Sequence, residues 1–158
     1  MRRRMPRLVV AIVTIQIIGS LVGLVVSRRM SEGDEDSDEF KVAAVFGGRK
    51  FHSRAGNLKS GVVVASMGGI DLDLRDATLA PEGAELELRT TMGGTQVTVP
   101  PDWAVDVDTE TQAGGFEINV TSPDDLPDDA PRLHIHAVTR MGGGAVIAKT
   151  AQAGSRLS

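Results

Sequence analysis

Two histidines and three pairs of acidic residues are the groups in this sequence whose spacing could support chemistry. His134 and His136 lie two residues apart in the segment LHIHAV, so a strand would place both on one face, where a third ligand such as His52 could complete a metal site. Acidic residues one position apart, which could bind Ca²⁺ or act on a glycan, occur at Asp71/Asp73, Glu85/Glu87 and Asp106/Asp108. The regular alternation favours a simpler interpretation, in which all of these are solvated outer residues of half-buried strands.

The composition excludes several classes of active site. The chain of 158 residues has no Cys and no Tyr, which removes cysteine nucleophiles, thiolate metal sites and disulfides. It contains no G-x-S-x-G, P-loop or H-E-x-x-H motif. A net charge of -4, four Phe and one Trp give neither the basic field nor the stacking surface of a nucleic-acid-binding protein. We therefore predict a protein that is not an enzyme, has no cofactor and does not bind nucleic acid.

A repeat of glycine pairs, each preceded by an apolar residue, is the feature that organises the chain. The copies are Phe46-Gly47-Gly48, Met67-Gly68-Gly69, Met92-Gly93-Gly94, Ala113-Gly114-Gly115 and Met141-Gly142-Gly143. Alternating segments such as IDLDLR flank them, as is typical of half-buried strands. We predict that residues 40–150 form a small single-domain all-β solenoid, a stack of short strands whose coils turn at the glycines and whose corner interior is filled by the preceding bulky residues. An antiparallel sandwich with Gly-Gly hairpin turns is the alternative.

The first part of the chain reads as a membrane anchor. Residues 8–26 carry no charge and would make about 28 Å of helix, enough to span a bilayer, although a cleaved signal peptide is the alternative. Four Arg lie in residues 1–7 and two follow the span, which predicts a cytoplasmic N-terminus and a domain outside the cell membrane. Residues 27–39 then form an acidic flexible linker and residues 151–158 a flexible tail. Membrane lipid is the expected partner of the anchor. Gly19 and Gly23 have the spacing of a helix-dimer motif, which would also allow a homodimer.

Two glycine blocks in succession, MGGIDLDLRDATL (67–79) and MGGTQVTVPPDWAV (92–105), resemble the C-terminal domain of the LiaF-like cell-wall-active-antibiotics response proteins. The resemblance covers about residues 42–148 and implies a toastrack-like stack of short strands. It also implies a membrane protein that restrains a sensor histidine kinase until the envelope is stressed. This chain has one predicted span where those proteins have several, and the resemblance supplies no catalytic residues.

These observations predict a membrane-anchored, non-catalytic binding or regulatory module of the cell-envelope stress response. Its partner would be a membrane sensor kinase or another envelope protein. The alternative is a structural or adhesive envelope protein that self-associates. The candidate contact residues for a partner are outer-face cations and histidines and the single tryptophan: Trp103, Arg75, Arg89, His134 and His136. For Trp103, packing over the stack or at its side is the favoured interpretation and partner contact the alternative.

Overall fold

Residues 33–150 form a single five-stranded sheet in a computed structural model of the chain. The strands are β1 (Glu39–His52), β2 (Ser60–Asp73), β3 (Ala84–Val99), β4 (Ala104–Asn119) and β5 (Arg132–Ala148), and a short 3₁₀ turn covers Pro123–Asp125. The all-β prediction is confirmed for this region. The basic N-terminus, the predicted span 8–26 and the tail 151–158 lie outside the described residues. Within residues 33–150, no helix is long and apolar enough to cross a bilayer.

The glycine pairs lie side by side because all four strand pairings are parallel and keep the repeat in register. Gly47 pairs with Gly68, Gly68 with Gly93, Gly93 with Gly142, and Gly142 with Gly114. The apolar residues that precede the glycines align in the same way. A parallel sheet has no hairpins, so the alternative of an antiparallel sandwich with Gly-Gly turns is wrong. The observed sheet is consistent with a solenoid-like stack.

The order of the strands in space differs from their order in the chain at one place. The order is β1-β2-β3-β5-β4, so β5 lies between β3 and β4. The amide of Ala104, the first residue of β4, donates a hydrogen bond of 2.8 Å to the carbonyl of Pro131, just before β5. The twelve residues 120–131 return the chain to the gap that β3 and β4 leave between them. The last two coils are therefore not wound in simple succession.

Each strand turns a corner at its glycine pair, and the corner changes which residues face inward. In β2, Val63 and Ala65 are buried before the pair, whereas Ile70 and Leu72 are buried after it. The inward positions thus switch from odd to even numbers, although a straight strand keeps one parity throughout. Side chains from before and after the pair belong to one hydrophobic cluster. The two arms of each strand therefore face each other across a shared core.

The residues before the glycines do not fill the corner interior, so that prediction is wrong. Phe46, Met67, Met92 and Met141 are between 46 and 50% exposed. The reason is the switch in parity: Ala65 is the last inward residue before the corner in β2 and Ile70 the first after it. Met67 and the glycines lie between them, on the outside of the bend. The interior beside the corner holds smaller groups, among them Thr90 and Thr95, whose hydroxyls hydrogen-bond at 2.8 Å.

The core is closed at its β1 end by aromatic residues and by the chain that enters β1. The rings of Phe40 and Phe51 lie 5.0 Å apart, centroid to centroid. Residues 33–38, which belong to the predicted flexible linker, hydrogen-bond to the loop between β1 and β2 through the carbonyls of Glu35 and Asp38. The backbone of this segment is thus attached to the domain at two points, although most of its residues are exposed. Trp103, at the β3–β4 connection, is 4% exposed and belongs to the core.

Candidate interaction surfaces

The outside of the corner carries a row of large apolar side chains, here called the corner ridge: Phe46, Met67, Met92 and Met141. Neighbouring members are ladder partners in adjacent parallel strands. With strands about 4.8 Å apart, the four side chains cover about 14 Å across the sheet. At the same level, β4 has Ala113 instead. The ridge therefore ends before the last strand.

A shallow groove follows the corner ridge on its C-terminal side. It has a volume of about 640 Å³, and its lining includes the second glycines of four pairs: Gly48, Gly69, Gly94 and Gly143. A Cβ atom at Gly69 or Gly94 would come no nearer than 3.7 Å to another atom, and one at Gly48 would meet open space. The second glycines are thus not needed for packing at these three positions. They leave the surface beside the ridge smooth.

Three of the five predicted contact residues, Arg89, His134 and His136, lie together on the outer face of the first arms, which are the strand segments before the glycine pairs. His136 pairs with Glu87 in the ladder between β5 and β3, and a cavity of about 480 Å³ is lined by both and by Arg89. Arg89 donates through Nε to Oε1 of Glu87 at 2.6 Å. His134 Nε2 lies 3.3 Å from Oδ2 of Asp108 on the neighbouring strand. This face is a polar mixture in which Arg89 lies against Glu87 and His134 against Asp108.

Arg75 lies at the far end of the second arm, so the corner separates it from the other three. Its Nε donates to Oδ1 of Asp73 at 2.9 Å and its Nη2 to Oδ2 at 2.6 Å. This bidentate pairing holds the pKa of Asp73 below its ordinary value of 3.8 and raises that of Arg75. His52 adds to the cluster, with Nε2 at 2.7 Å from Oδ2 of Asp76. The guanidinium is therefore engaged within the chain.

Trp103 is buried and has little surface with which to contact a partner. Its position fits the packing interpretation of this residue. The structure thus groups Arg89, His134 and His136, and places Arg75 and Trp103 apart from them and from each other.

The outer face of β4 before its glycine pair carries a second surface feature, here called the β4 acidic row: Asp106, Asp108 and Glu110. All three are exposed outward positions of a strand that contains no Lys, Arg or Pro. The aligned outward residues of β5, such as His134 opposite Asp106, are not acidic. Asp106 and Asp108 stood out in the sequence as a spaced pair. The sequence did not reveal that they lie at a sheet edge, because the spatial order of the strands determines which strand is at the edge.

Neither the histidines nor the acidic pairs assemble into a metal site in the part of the chain that the structure describes. No group of three His, Asp or Glu side chains there has the geometry to hold a metal ion. His134 and His136 are neighbouring outward residues of β5, and a single carboxylate, that of Asp108, lies within 4 Å of His134 among the described residues.

The exposure of the corner ridge was not predicted from the sequence. On a straight strand, two inward residues are an even number of positions apart. The apolar residues on the two sides of each glycine pair are an odd number of positions apart, and this spacing could have revealed the bend and the exposed ridge.

Comparisons of the chain with protein-family models, with curated proteins and with solved structures found no match.

Proposed function

We propose that this chain is a membrane-anchored, non-catalytic β-solenoid module that binds a partner protein in cell-envelope stress response or signalling. The observation that carries the proposal is the corner ridge. Its four large apolar side chains are about half exposed and lie in one row. Contiguous exposed apolar surface of this kind is typical of contact sites. The core does not require it, since the inward residues of both arms already fill the interior.

The construction of the corner supports recognition. The strand ladder fixes the spacing of the ridge side chains before a partner binds. Binding therefore costs little conformational entropy in the backbone of this chain. Methionine side chains are flexible and polarizable, which suits them to pack against irregular apolar surfaces. The smooth groove beside the ridge leaves room for a partner to approach the backbone. These properties favour a binding surface over a catalytic one.

The sequence supports the placement and the class of partner. The uncharged segment 8–26 and the flanking arginines favour a single-pass anchor with the domain held outside the cell membrane. The glycine blocks that resemble LiaF-like proteins favour a toastrack-like domain and a partner such as a membrane sensor kinase or another envelope protein. The lack of Cys and Tyr and of a recognisable catalytic motif favours a role without chemistry.

The test replaces the apolar ridge while keeping its shape. The full-length chain is purified from membranes in mild detergent as wild type and as the triple variant Met67→Gln/Met92→Gln/Met141→Gln. Membrane proteins that accompany only the wild type are identified, and binding of the purified partner is then measured. We expect the triple variant to bind at least about tenfold more weakly, since the row supplies most of the apolar contact.

The matched control is Glu82→Gln/Asp128→Asn/Asp129→Asn, which changes three exposed loop residues and should bind normally. Fluorescence of the buried Trp103 reports whether each variant is folded. Equal binding by the ridge variant and the wild type would show that the proposed function is wrong about this surface.

A further inference from the structure

The outer edge of β4 is an open end of the sheet. β4 pairs with β5 on one side, and no other strand within residues 33–150 pairs with it. Along its 16 residues, most positions on both faces are exposed. Natural sheets usually protect an edge with charged side chains, especially lysine, with proline or with a bulge, because unpaired backbone N–H and C=O groups accept a further strand. β4 has neither lysine nor proline, and its edge is as long as the strands it continues.

The core is also open at this end. Ile118 of β4 is 48% exposed, whereas Val146 and Val97, which occupy the same level in β5 and β3, are fully buried. Phe116 and Val107 of β4 are likewise only partly buried against the core. The opposite end, at β1, is closed by Phe40 and Phe51. A further strand beside β4 would cover Ile118 with its own inward side chain and complete the apolar layer.

The charge of the edge determines which outer residues an added strand can carry. The β4 acidic row places three carboxylates on one outer face, and β4 itself contains no cation. Cross-strand neighbours of opposite charge stabilise a sheet and like charges destabilise it. Two copies of this chain that paired β4 with β4 would bring the two acidic rows together. The edge therefore disfavours its own copy and favours a strand with basic outer residues.

We propose that β4 binds an extended segment of another protein by strand addition, with basic residues of that segment facing the acidic row and apolar residues covering Ile118. This inference rests on the proposed function as a binding module and adds a second contact surface with a defined chemistry. Backbone hydrogen bonds along the edge supply affinity and the alternating side chains supply selectivity. The corner ridge and the β4 edge are separate, because the ridge ends at β5.

The experiment uses the full-length chain in mild detergent and labelled peptides of about ten residues, which match the length of one arm and part of the next. One peptide alternates valine with lysine and the other valine with glutamate. We expect the lysine peptide to bind at least about tenfold more tightly, as two or three opposite-charge pairs predict. N-methylation of every backbone amide in the lysine peptide should abolish binding, because it removes the donors on both edges of the peptide strand and keeps the charge.

A charge reversal tests the site itself. The variant Asp106→Lys/Asp108→Lys/Glu110→Lys should prefer the glutamate peptide. The control Glu82→Lys/Asp128→Lys/Asp129→Lys, with the same net charge, should keep the wild-type preference. Any of three outcomes overturns the proposal: no peptide binds, the two variants behave alike, or the N-methylated peptide binds as well as its parent.

Self-association would also overturn it. If sedimentation shows a wild-type oligomer that the β4 reversal dissociates, a second copy occupies the edge. The triple Met-to-Gln ridge variant should bind the lysine peptide normally. A failure of the strand-addition proposal at β4 can therefore be distinguished from a failure of the proposed function at the ridge.

Discussion

At the residue scale, the first and second glycines of the β3 pair have different reasons to be glycine. A Cβ atom on Gly93 would lie 1.8 Å from the carbonyl oxygen of Gly68, and its φ is +155°. The oxygen belongs to the backbone of the neighbouring strand and cannot move without breaking the ladder. A Cβ atom on Gly94 would lie 3.8 Å from the nearest oxygen, an ordinary contact. The sequence repeats both glycines equally, so this difference is visible only in the stacked structure.

We therefore expect Gly93→Ala to lower the free energy of unfolding by at least about 3 kcal/mol, since a backbone clash adds to the strained φ. Gly94→Ala should change it by less than about 1 kcal/mol. Urea unfolding of the full-length chain, followed by the fluorescence of Trp103, measures both. Similar losses for the two variants would contradict the packing of the corner.

The pairing of Asp73 with Arg75 predicts a pH dependence. The hydrogen bonds from Arg75 lower the pKa of Asp73 in the folded chain below the ordinary 3.8. The unfolded chain therefore binds a proton at a higher pH than the folded chain does. The stability that the pair contributes is present above pH 3.8 and is lost as the pH falls through the lower, folded value.

Wild type and Asp73→Asn should thus differ most in free energy of unfolding near neutral pH, and the difference should shrink as the solution is acidified below pH 3.8. Urea unfolding at a series of pH values measures it. Asp128→Asn, in an exposed loop, serves as the control and should follow the wild type at each pH. A difference between wild type and Asp73→Asn that stays constant with pH would mean that the ion pair does not stabilise the fold.

At the scale of the element, alternation within each arm could be predicted from the sequence, and the switch between arms could not. Leu72 and Leu74 are buried as the pattern IDLDLR indicates. The side on which Met67 emerges depends on how the backbone bends at Gly68 and Gly69. Alternation fixes a face only along a continuous strand, and the glycines interrupt it. For this reason the sequence predicted the arms and misplaced the corner residues.

Truncation on the two sides of the corner checks this assignment within one strand. Leu88→Ala removes a side chain that is 1% exposed, and we expect a loss of about 2–5 kcal/mol in the free energy of unfolding. Met92→Ala removes one that is 49% exposed and should cost less than about 1 kcal/mol. Equal losses in the free energy of unfolding, measured with urea, would mean that Met92 is buried in the core.

At the scale of the whole molecule, the repeat predicts a stack in which the glycine pairs lie in register. The parallel direction of all the strands and the position of β5 are visible only in the structure. A repeat states that the coils are alike, and like coils can be neighbours in more than one order. What separates the orders is the length of the connections: β3 and β4 are joined by residues 100–103 alone, whereas 120–131 is long enough for the chain to turn back. The free edge at β4, and with it the proposed strand-addition site, is a consequence of that order.

Engineered disulfides test the order directly, since the chain has no cysteine of its own. Glu87 of β3 and Asp108 of β4 each pair with His136 of β5 at one level of the outer face. Adjacent parallel strands are about 4.8 Å apart, within reach of a disulfide, and strands two places apart are not. We expect Glu87→Cys/His136→Cys and Asp108→Cys/His136→Cys to crosslink on mild oxidation, and Glu87→Cys/Asp108→Cys to remain reduced. Peptide mass spectrometry reads the bond. Sequential winding would give the reverse for the first and third variants, because β4 would then separate β3 from β5.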